Sequence, residues 1–159
     1  MDRLWAPWRI NYVAAKKKKG CLFCSSLKKK NAREIIFKTR HSFVILNIFP
    51  YNNGHLMVVP VRHVSGIRLL NDDEVMDLFR NLKIATSLLD KVLKPDGYNI
   101  GLNLSREAGA GITRHLHIHL VPRWNGDNNF MPVVSNTKII HQSLDELAKK
   151  LKNAYAKQD

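Results

Sequence analysis

The segment His115-Leu116-His117-Ile118-His119-Leu120-Val121-Pro122 carries three histidines on alternate residues. Because every second side chain of a β-strand points to the same face, the pattern predicts a strand with three imidazoles on one side and aliphatic residues on the other. Imidazoles make a poor hydrophobic surface, and near neutral pH they act as nucleophiles, proton carriers or metal ligands. The segment therefore predicts a strand with a chemical site on one face.

The composition is typical of a single globular domain. The chain has 159 residues, of which 45% are hydrophobic and 25% are charged, and this length is enough for a substantial core. We expect one domain over residues 1–159, with an aromatic arm at residues 1–20. The sequence contains no long apolar run and does not start with a signal-peptide pattern, which predicts a cytoplasmic protein without a membrane partner.

The chain is strongly basic, with 26 Lys+Arg against 13 Asp+Glu and a formal charge of +13. Such a field favours an anionic ligand, for example a nucleotide, a phosphate or a nucleic acid. The lysines are concentrated in residues 16–19 and 28–30 and in the last helix, as in solvated loops and faces. We therefore favour a polyphosphate ligand over a dedicated nucleic-acid surface.

Patterns along the chain predict an α+β fold with a mainly antiparallel sheet. Strands are expected at residues 34–40, 42–48, 55–60 and 98–104 and in the histidine segment. Apolar residues at helical spacing predict a long helix that begins at Asn71–Glu74 and ends at Pro95. A capping-box pattern at Ser143–Glu146 predicts a last amphipathic helix over residues 143–157. The strands are grouped and do not alternate regularly with helices, which is typical of the α+β class.

The histidine segment and several other stretches resemble the histidine triad (HIT) family of nucleotide hydrolases and transferases. His-Leu-His-Ile-His-Leu-Val is similar to the family signature of three histidines separated by hydrophobic residues, and Asn47 with residues 54–60 resembles its nucleoside-side strand pair. Residues 3–9 and 122–133 resemble a bacterial branch that acts on diadenosine tetraphosphate as phosphorylases or hydrolases. The resemblance covers nearly the whole chain, and it implies a HIT-like fold whose five-stranded sheet carries one long helix and a C-terminal helix.

The chemistry of the triad can also be argued from its residues. A neutral imidazole nitrogen can attack a phosphate anhydride to form a reactive phosphoramidate, which splits one difficult displacement into two easier steps. His117 is flanked on its own face by His115 and His119, so it is the candidate nucleophile and its neighbours are candidate donors to phosphate oxygens. The resemblance implies the same roles, with His117 held by a backbone carbonyl and His119 assisting the leaving group. A row of structural histidines or a plain metal site is the alternative.

A loop of small residues just before the triad is the candidate phosphate-binding segment. Small residues let backbone N–H groups approach an anion closely, although a simple turn would have the same composition. The resemblance implies that Asn103 and the backbone near Ala110 and Gly111 hold the phosphates. The chain lacks the glutamine that the fragile histidine triad branch carries near Leu104, so either phosphate or water could resolve the intermediate.

Three further residues are candidates for the substrate site. Asn47 lies inside a β-like run, where asparagine is disfavoured, and the resemblance implies that it binds the ribose hydroxyls. The resemblance also implies that His55 supports the active site by holding the residues that contact the substrate, and this role overlaps with a structural one. Trp124 could stack on a base, and a structural tryptophan is an equally good interpretation.

Cys21 and Cys24 have the spacing of half a zinc site, or of two free thiols. The chain resembles zinc-bearing bacterial relatives that add a histidine after the third strand and the first histidine of the triad, here His63 and His115. The resemblance therefore implies a structural zinc with four protein ligands, and no organic cofactor.

Together these observations predict an enzyme that cleaves dinucleoside polyphosphates at the α-phosphate through a nucleotidyl intermediate on His117, resolved by phosphate or water. A nucleoside phosphoramidase of the same family is the nearest alternative. A nucleotide- or nucleic-acid-binding zinc protein without turnover is the alternative from another class. The long amphipathic helix and the aromatic arm suit a homodimer, with a tetramer as the second option.

Overall fold

The computed structural model describes residues 20–30, 32–127, 140 and 142–157. Its elements are α1 (Leu22–Lys28), β1 (Ile35–Lys38), β2 (Ser42–Leu46), β3 (Leu56–Pro60), a 3₁₀ turn (Ile67–Leu69), α2 (Asp72–Leu93), β4 (Gly97–Gly101), β5 (Ile118–Arg123) and α3 (Leu144–Ala156). The strands form one antiparallel sheet in the order β1-β2-β3-β5-β4. The predicted α+β fold, with its five-stranded sheet, long helix and C-terminal helix, is confirmed. Except for Gly20, the predicted arm lies outside the described residues.

The histidine segment enters the sheet later than the alternating pattern predicts. β5 begins at Ile118, opposite Val58, so His119 is the only triad member inside the regular strand. The ladder does not continue to Pro60, which has no N–H to donate and whose carbonyl accepts from the side chain of His115. His115 and His117 therefore lie in an irregular stretch just before β5.

Both faces of the sheet are covered, which is why every residue of β2 is buried. On one face α2 and α3 pack against alternate strand residues such as Val44 and Leu120. On the other face Phe23 of α1 packs with Phe43, Ile45, Met57 and Val59. Two different layers result, an aliphatic helical layer and a smaller aromatic layer.

The ends of the two longer helices differ in their caps. The side chain of Asn71 accepts from the backbone N–H of Glu74, whose carboxylate accepts from the backbone N–H of Asn71, so the cap expected at α2 is present. The capping box expected at Ser143 is wrong, because that side chain makes no capping hydrogen bond. No helix among the described residues is long and apolar enough to cross a membrane.

The turn before β3 is pressed against the end of α2. Gly54 has a φ of +75°, and a Cβ added there would lie 2.5 Å from Leu93 Cδ1 and 3.2 Å from Pro122 Cγ. Only glycine combines this left-handed backbone with so close an approach. The packing fixes the turn and, with it, the position of His55 just before β3.

Candidate active site and metal centre

His117 is held on the side of His115 by a backbone hydrogen bond. Its Nδ1 lies 3.0 Å from the carbonyl oxygen of His115, and because a carbonyl only accepts, Nδ1 carries the proton in the neutral ring. Burial lowers the pKa of His117 below 6.5, while the bond to the carbonyl opposes the shift. The neutral ring therefore keeps an unprotonated Nε2, the atom that a nucleophile needs.

His119 is held from the other side, by a chain of donors that starts in the backbone. The amide of Tyr51 donates to His55 Nδ1 over 3.1 Å, and Asn47 Nδ2 lies 3.2 Å from the same nitrogen. An amide N–H can only donate, so His55 carries its proton on Nε2 and donates it to His119 Nδ1 over 2.9 Å. The remaining proton of neutral His119 is consequently on Nε2, where it can be donated to a phosphate oxygen.

The imidazole rings of His55 and His119 are both kept neutral. Burial lowers the pKa of His55 to about 3, with further lowering from His119 and His117. Burial and the neighbouring His117 lower the pKa of His119 to about 4. The ring of His119 packs edge-on against His117, with centroids 4.8 Å apart. The rings of His117 and His119 thus present an unprotonated Nε2 and a protonated Nε2 side by side.

Hydrogen bonds connect two of the predicted substrate residues to the triad. Asn47 and His55 join it through the hydrogen bonds above, although Asn47 Oδ1 also accepts from the backbone N–H of Phe49. Asn103 is half-buried, Ala110 is buried and Gly111 is exposed. Within the described ranges, this loop makes no hydrogen bond to the three histidines.

Trp124 is half-buried and lies on a turn that follows β5 directly. The carboxylate of Asp127 accepts from the backbone N–H of Trp124 and from the guanidinium of Arg123. The same carboxylate accepts from Asn52 Nδ2 over 2.7 Å, and Asn52 also donates to the carbonyl of Pro122. Trp124 is therefore tied to the turn that precedes His55, but it makes no ring contact with the triad in the part of the chain described.

Four predicted metal ligands converge beside the triad. One ligand atom from each of Cys21, Cys24, His63 and His115 lies within 4.8 Å of the other three. Cys21 Sγ and Cys24 Sγ lie 3.2 and 3.6 Å from His115 Nδ1, and Cys24 Sγ lies 3.4 Å from His63 Nδ1. In a tetrahedral site with zinc–ligand bonds of ordinary length, neighbouring S and N atoms are about 3.6 Å apart. The donor set and its spacing fit a tetrahedral metal ion.

Local structure explains why these ligands point at one another. Cys21 is the N-cap of α1 and Cys24 lies one turn later, so both sulfurs share a face of the helix. His115 Nε2 donates to the carbonyl of Pro60 over 2.9 Å, which leaves its Nδ1 lone pair facing the thiols. Burial, together with Cys21, raises the pKa of the Cys24 thiol, and a bound dication would oppose that shift.

Two residues of this region escaped the sequence analysis. Tyr51 supplies its backbone amide to His55, and its ring lies 4.6 Å from the ring of His55 and 5.6 Å from that of His119. Phe23 lies against both His115 and His117. An aromatic residue between two metal-ligand cysteines was the available sign for Phe23, whereas a backbone donor such as that of Tyr51 leaves no trace in side-chain patterns.

Comparison with known proteins gives consistent matches. The HIT domain family matches residues 28–126. An AP-4-A phosphorylase of Mycobacterium tuberculosis is 36% identical over 168 residues, which cover 99% of this chain and 86% of that protein. The asymmetrical bis(5'-nucleosyl)-tetraphosphatase of Schizosaccharomyces pombe is 30% identical over 94 residues, which cover 59% of this chain and 51% of that protein. A zinc-bound histidine triad family protein from Mycobacterium smegmatis superposes with a TM-score of 0.70 at 25% identity, covering 86% of this chain and 93% of that one.

Proposed function

The chain belongs to the histidine triad (HIT) family, and on that premise we propose that it is an enzyme that cleaves dinucleoside polyphosphates of the diadenosine tetraphosphate type. The observation that carries the proposal is the pair of fixed tautomers, with Nε2 bare on His117 and protonated on His119. Displacement at an anhydride phosphorus is helped by a nucleophile and by a hydrogen-bond donor to the departing oxygen. The names of the mycobacterial and yeast relatives agree with this substrate class.

In the proposed first step, His117 Nε2 attacks the α-phosphorus while the bond from that phosphorus to the bridging oxygen breaks. The N–H at His119 Nε2 donates a hydrogen bond to the departing oxygen, so that the polyphosphate half leaves as an anion whose new charge is stabilised. Water or inorganic phosphate then attacks the nucleotidyl group, and the N–P bond to His117 breaks and returns its electron pair to Nε2. When water is the attacking group, its excess proton passes to the solvent. A hydrogen-bond donor placed at a developing oxyanion typically contributes about 10²–10³ in rate.

The remaining site assignments are part of the same proposal. We assign the ribose to Asn47 and the phosphates to Asn103, Ala110 and Gly111. His55 supports His119, and Trp124 stacks on a base of the substrate. We further propose that residues 1–159 act as a single domain in the cytoplasm.

The metal in this proposal is zinc, held by Cys21, Cys24, His63 and His115. Two thiolates and two imidazoles in tetrahedral spacing are a donor set that zinc prefers. Since protein atoms fill all four positions, bound zinc would supply structural stability, with no open position for a substrate. The metal would join α1, the loop after β3 and the stretch before β5.

We also propose a homodimer that forms through β4. This strand is the last one in the sheet of the described residues, and its burial is low. Ile100 on β4 and Met76 and Phe79 on α2 are 52%, 64% and 62% exposed, an unusual set of large apolar side chains for a free surface. Light scattering on Ile100→Lys would give a monomer if this surface pairs, and an unchanged dimer or tetramer would contradict it.

A product assay tests the function directly. Diadenosine tetraphosphate is incubated with the protein, with and without inorganic phosphate, and the nucleotides are separated by chromatography. ADP plus ATP formed only with phosphate identifies a phosphorylase, and AMP plus ATP formed in water identifies an asymmetrical hydrolase. No turnover, combined with salt-sensitive binding of RNA or DNA, would reject the enzyme in favour of a binding protein. Faster cleavage of adenosine 5'-phosphoramidate would reject this substrate class in favour of the phosphoramidase.

A further inference from the structure

One aromatic ring connects the metal centre with the nucleophile. Phe23 lies between Cys21 and Cys24 on α1 and is fully buried. Its ring centroid is 5.4 Å from that of His115, 5.2 Å from that of His117 and 6.5 Å from that of Phe43. A displacement of α1 would therefore reach the ring of His117 through a single side chain.

The two contacts that orient His117 on this side both depend on the metal ligands. One is the hydrogen bond to the carbonyl of His115, which is itself a ligand. The other is the ring of Phe23, whose helix carries Cys21 and Cys24. If the metal ligands were not ordered, neither the carbonyl of His115 nor the ring of Phe23 would be held in a fixed position.

The helix that carries Phe23 is short and relies on tertiary contacts, among them a hydrogen bond from the hydroxyl of Ser26 to Glu34 Oε1 over 3.2 Å. α1 has seven residues, and the side chain of its N-cap residue, Cys21, makes no capping hydrogen bond. A helix this short is unstable alone, so tertiary contacts must fix it. The burial of Phe23 against β2 and β3 and the metal ligation at Cys21 and Cys24 are the contacts best placed to do so.

We propose that Phe23 is a positioning residue that transmits the order of the metal centre to His117. With the metal bound, α1 is fixed and the Phe23 ring sets the angle at which His117 Nε2 faces the α-phosphorus. Loss of the ring, or of the metal, leaves His117 in place but misaligned. The inference rests on the proposed role of His117.

The proposal predicts a loss in kcat with little change in KM. The nucleoside is assigned to the opposite flank, at Asn47, and the ring contacts of Phe23 are with His115, His117 and Phe43. A misplacement of about 1 Å in a reacting group can cost about 100-fold in rate, whereas binding depends on contacts that remain. A purely structural phenylalanine would instead lower the folded fraction and leave kcat per folded molecule unchanged.

The test compares Phe23→Leu with Phe37→Leu. Phe37 is a buried phenylalanine on the opposite face of the sheet, stacked on Tyr155 at 4.2 Å, so the same substitution there removes a similar apolar area. We expect Phe23→Leu to lower kcat about 10- to 100-fold with KM within about twofold, at unchanged zinc content by metal analysis. Phe37→Leu should lower the Tm and leave kcat unchanged. Equal kcat losses in the two variants, or none in Phe23→Leu, would overturn the proposal.

A spectroscopic measurement makes the test independent of turnover. Long-range ¹H–¹⁵N spectra report the tautomer and the exchange broadening of each imidazole. The His117 signals should show one sharp Nδ1–H tautomer in the wild type and in Phe37→Leu, and broadened signals in Phe23→Leu and in the chelated wild type. Unchanged His117 signals in both of the latter would refute the coupling. If diadenosine tetraphosphate is not cleaved at all, the proposed function fails while these spectra still decide the role of Phe23. If Phe23→Leu does not fold, Phe23→Met, which keeps most of the volume, replaces it.

Discussion

The two histidines that we propose as catalytic, His117 and His119, are neighbours, yet they are held by frameworks of different chemistry. His117 is oriented from the metal side, by the carbonyl of His115 and the ring of Phe23. His119 is oriented from the nucleoside side, by His55, which is fixed by the amide of Tyr51. One framework contains the proposed metal ligands, while the other consists of the hydrogen bonds and ring contacts of a tightly packed turn. Two imidazoles with opposite proton positions can thus be prepared independently, and each framework can be broken separately.

Replacing the nucleophile should give the largest effect. Removing the ring of His117, as in His117→Ala or His117→Gly, leaves no atom to form the nucleotidyl intermediate, so we expect turnover to fall about 10⁴-fold or more. The assigned nucleoside contacts remain, so binding of diadenosine tetraphosphate, measured by calorimetry, should persist. His41→Ala, a histidine outside the site, is the matched control and should turn over normally. Unchanged activity in His117→Ala would remove the central assignment.

Removing the metal should lower the thermal stability of the protein. A ligand at about 1,000 times its Kd stabilises the folded state by about 4 kcal/mol, which is about 10 °C in Tm for a chain of this size. Metal analysis should find about one zinc per chain, and chelation should lower the Tm measured by calorimetry by about this amount. The double variant Cys21→Ser/Cys24→Ser should have this lower Tm without chelator, and adding the chelator should not change it further. A metal-free, active wild type with an unchanged Tm would contradict the site.

Acidification should act through the nucleoside-side framework. In the folded chain the pKa of His55 is lowered to about 3 and that of His119 to about 4, whereas both groups protonate near 6.5 in the unfolded chain. The unfolded state therefore binds more protons below 6.5, and stability should be fully present above that pH and fall as the pH drops towards 4. His55, which is fully buried, contributes up to about 1.4 kcal/mol per pH unit, and the partly exposed His119 contributes less because solvent screens its charge. Urea unfolding between pH 7.5 and 4.5 should show a smaller slope for His55→Gln than for the wild type, and equal slopes would show that the buried ring is not the cause.

The sequence predicts the side chains of the site better than their backbone setting. The alternation of the triad is enough to predict a sheet and the central position of His117. The irregular start of β5 depends on Pro60, 55 positions from His115, and such long-range register is not visible in a local pattern. The donor that fixes His55 is a backbone amide, which every residue carries. The short helix α1 also escapes, because seven residues are too few for helical periodicity to be recognised.

The coupling energy between the two frameworks should be small, and measuring it tests whether they act independently. Phe23→Leu perturbs the framework of His117, and His55→Ala removes the donor to His119, which should lower kcat about 10- to 100-fold, as losing a hydrogen-bond partner of a catalytic imidazole does. If the frameworks act separately, the double variant should lose the product of the two factors, with a coupling energy below about 0.5 kcal/mol. Steady-state kinetics on the four proteins measures this coupling, and zinc content must stay constant across them. A coupling above about 1 kcal/mol would mean that the edge-on contact between the rings of His117 and His119 transmits strain from one side to the other. The two flanks would then form a single framework, and chelation would also broaden the His119 signals.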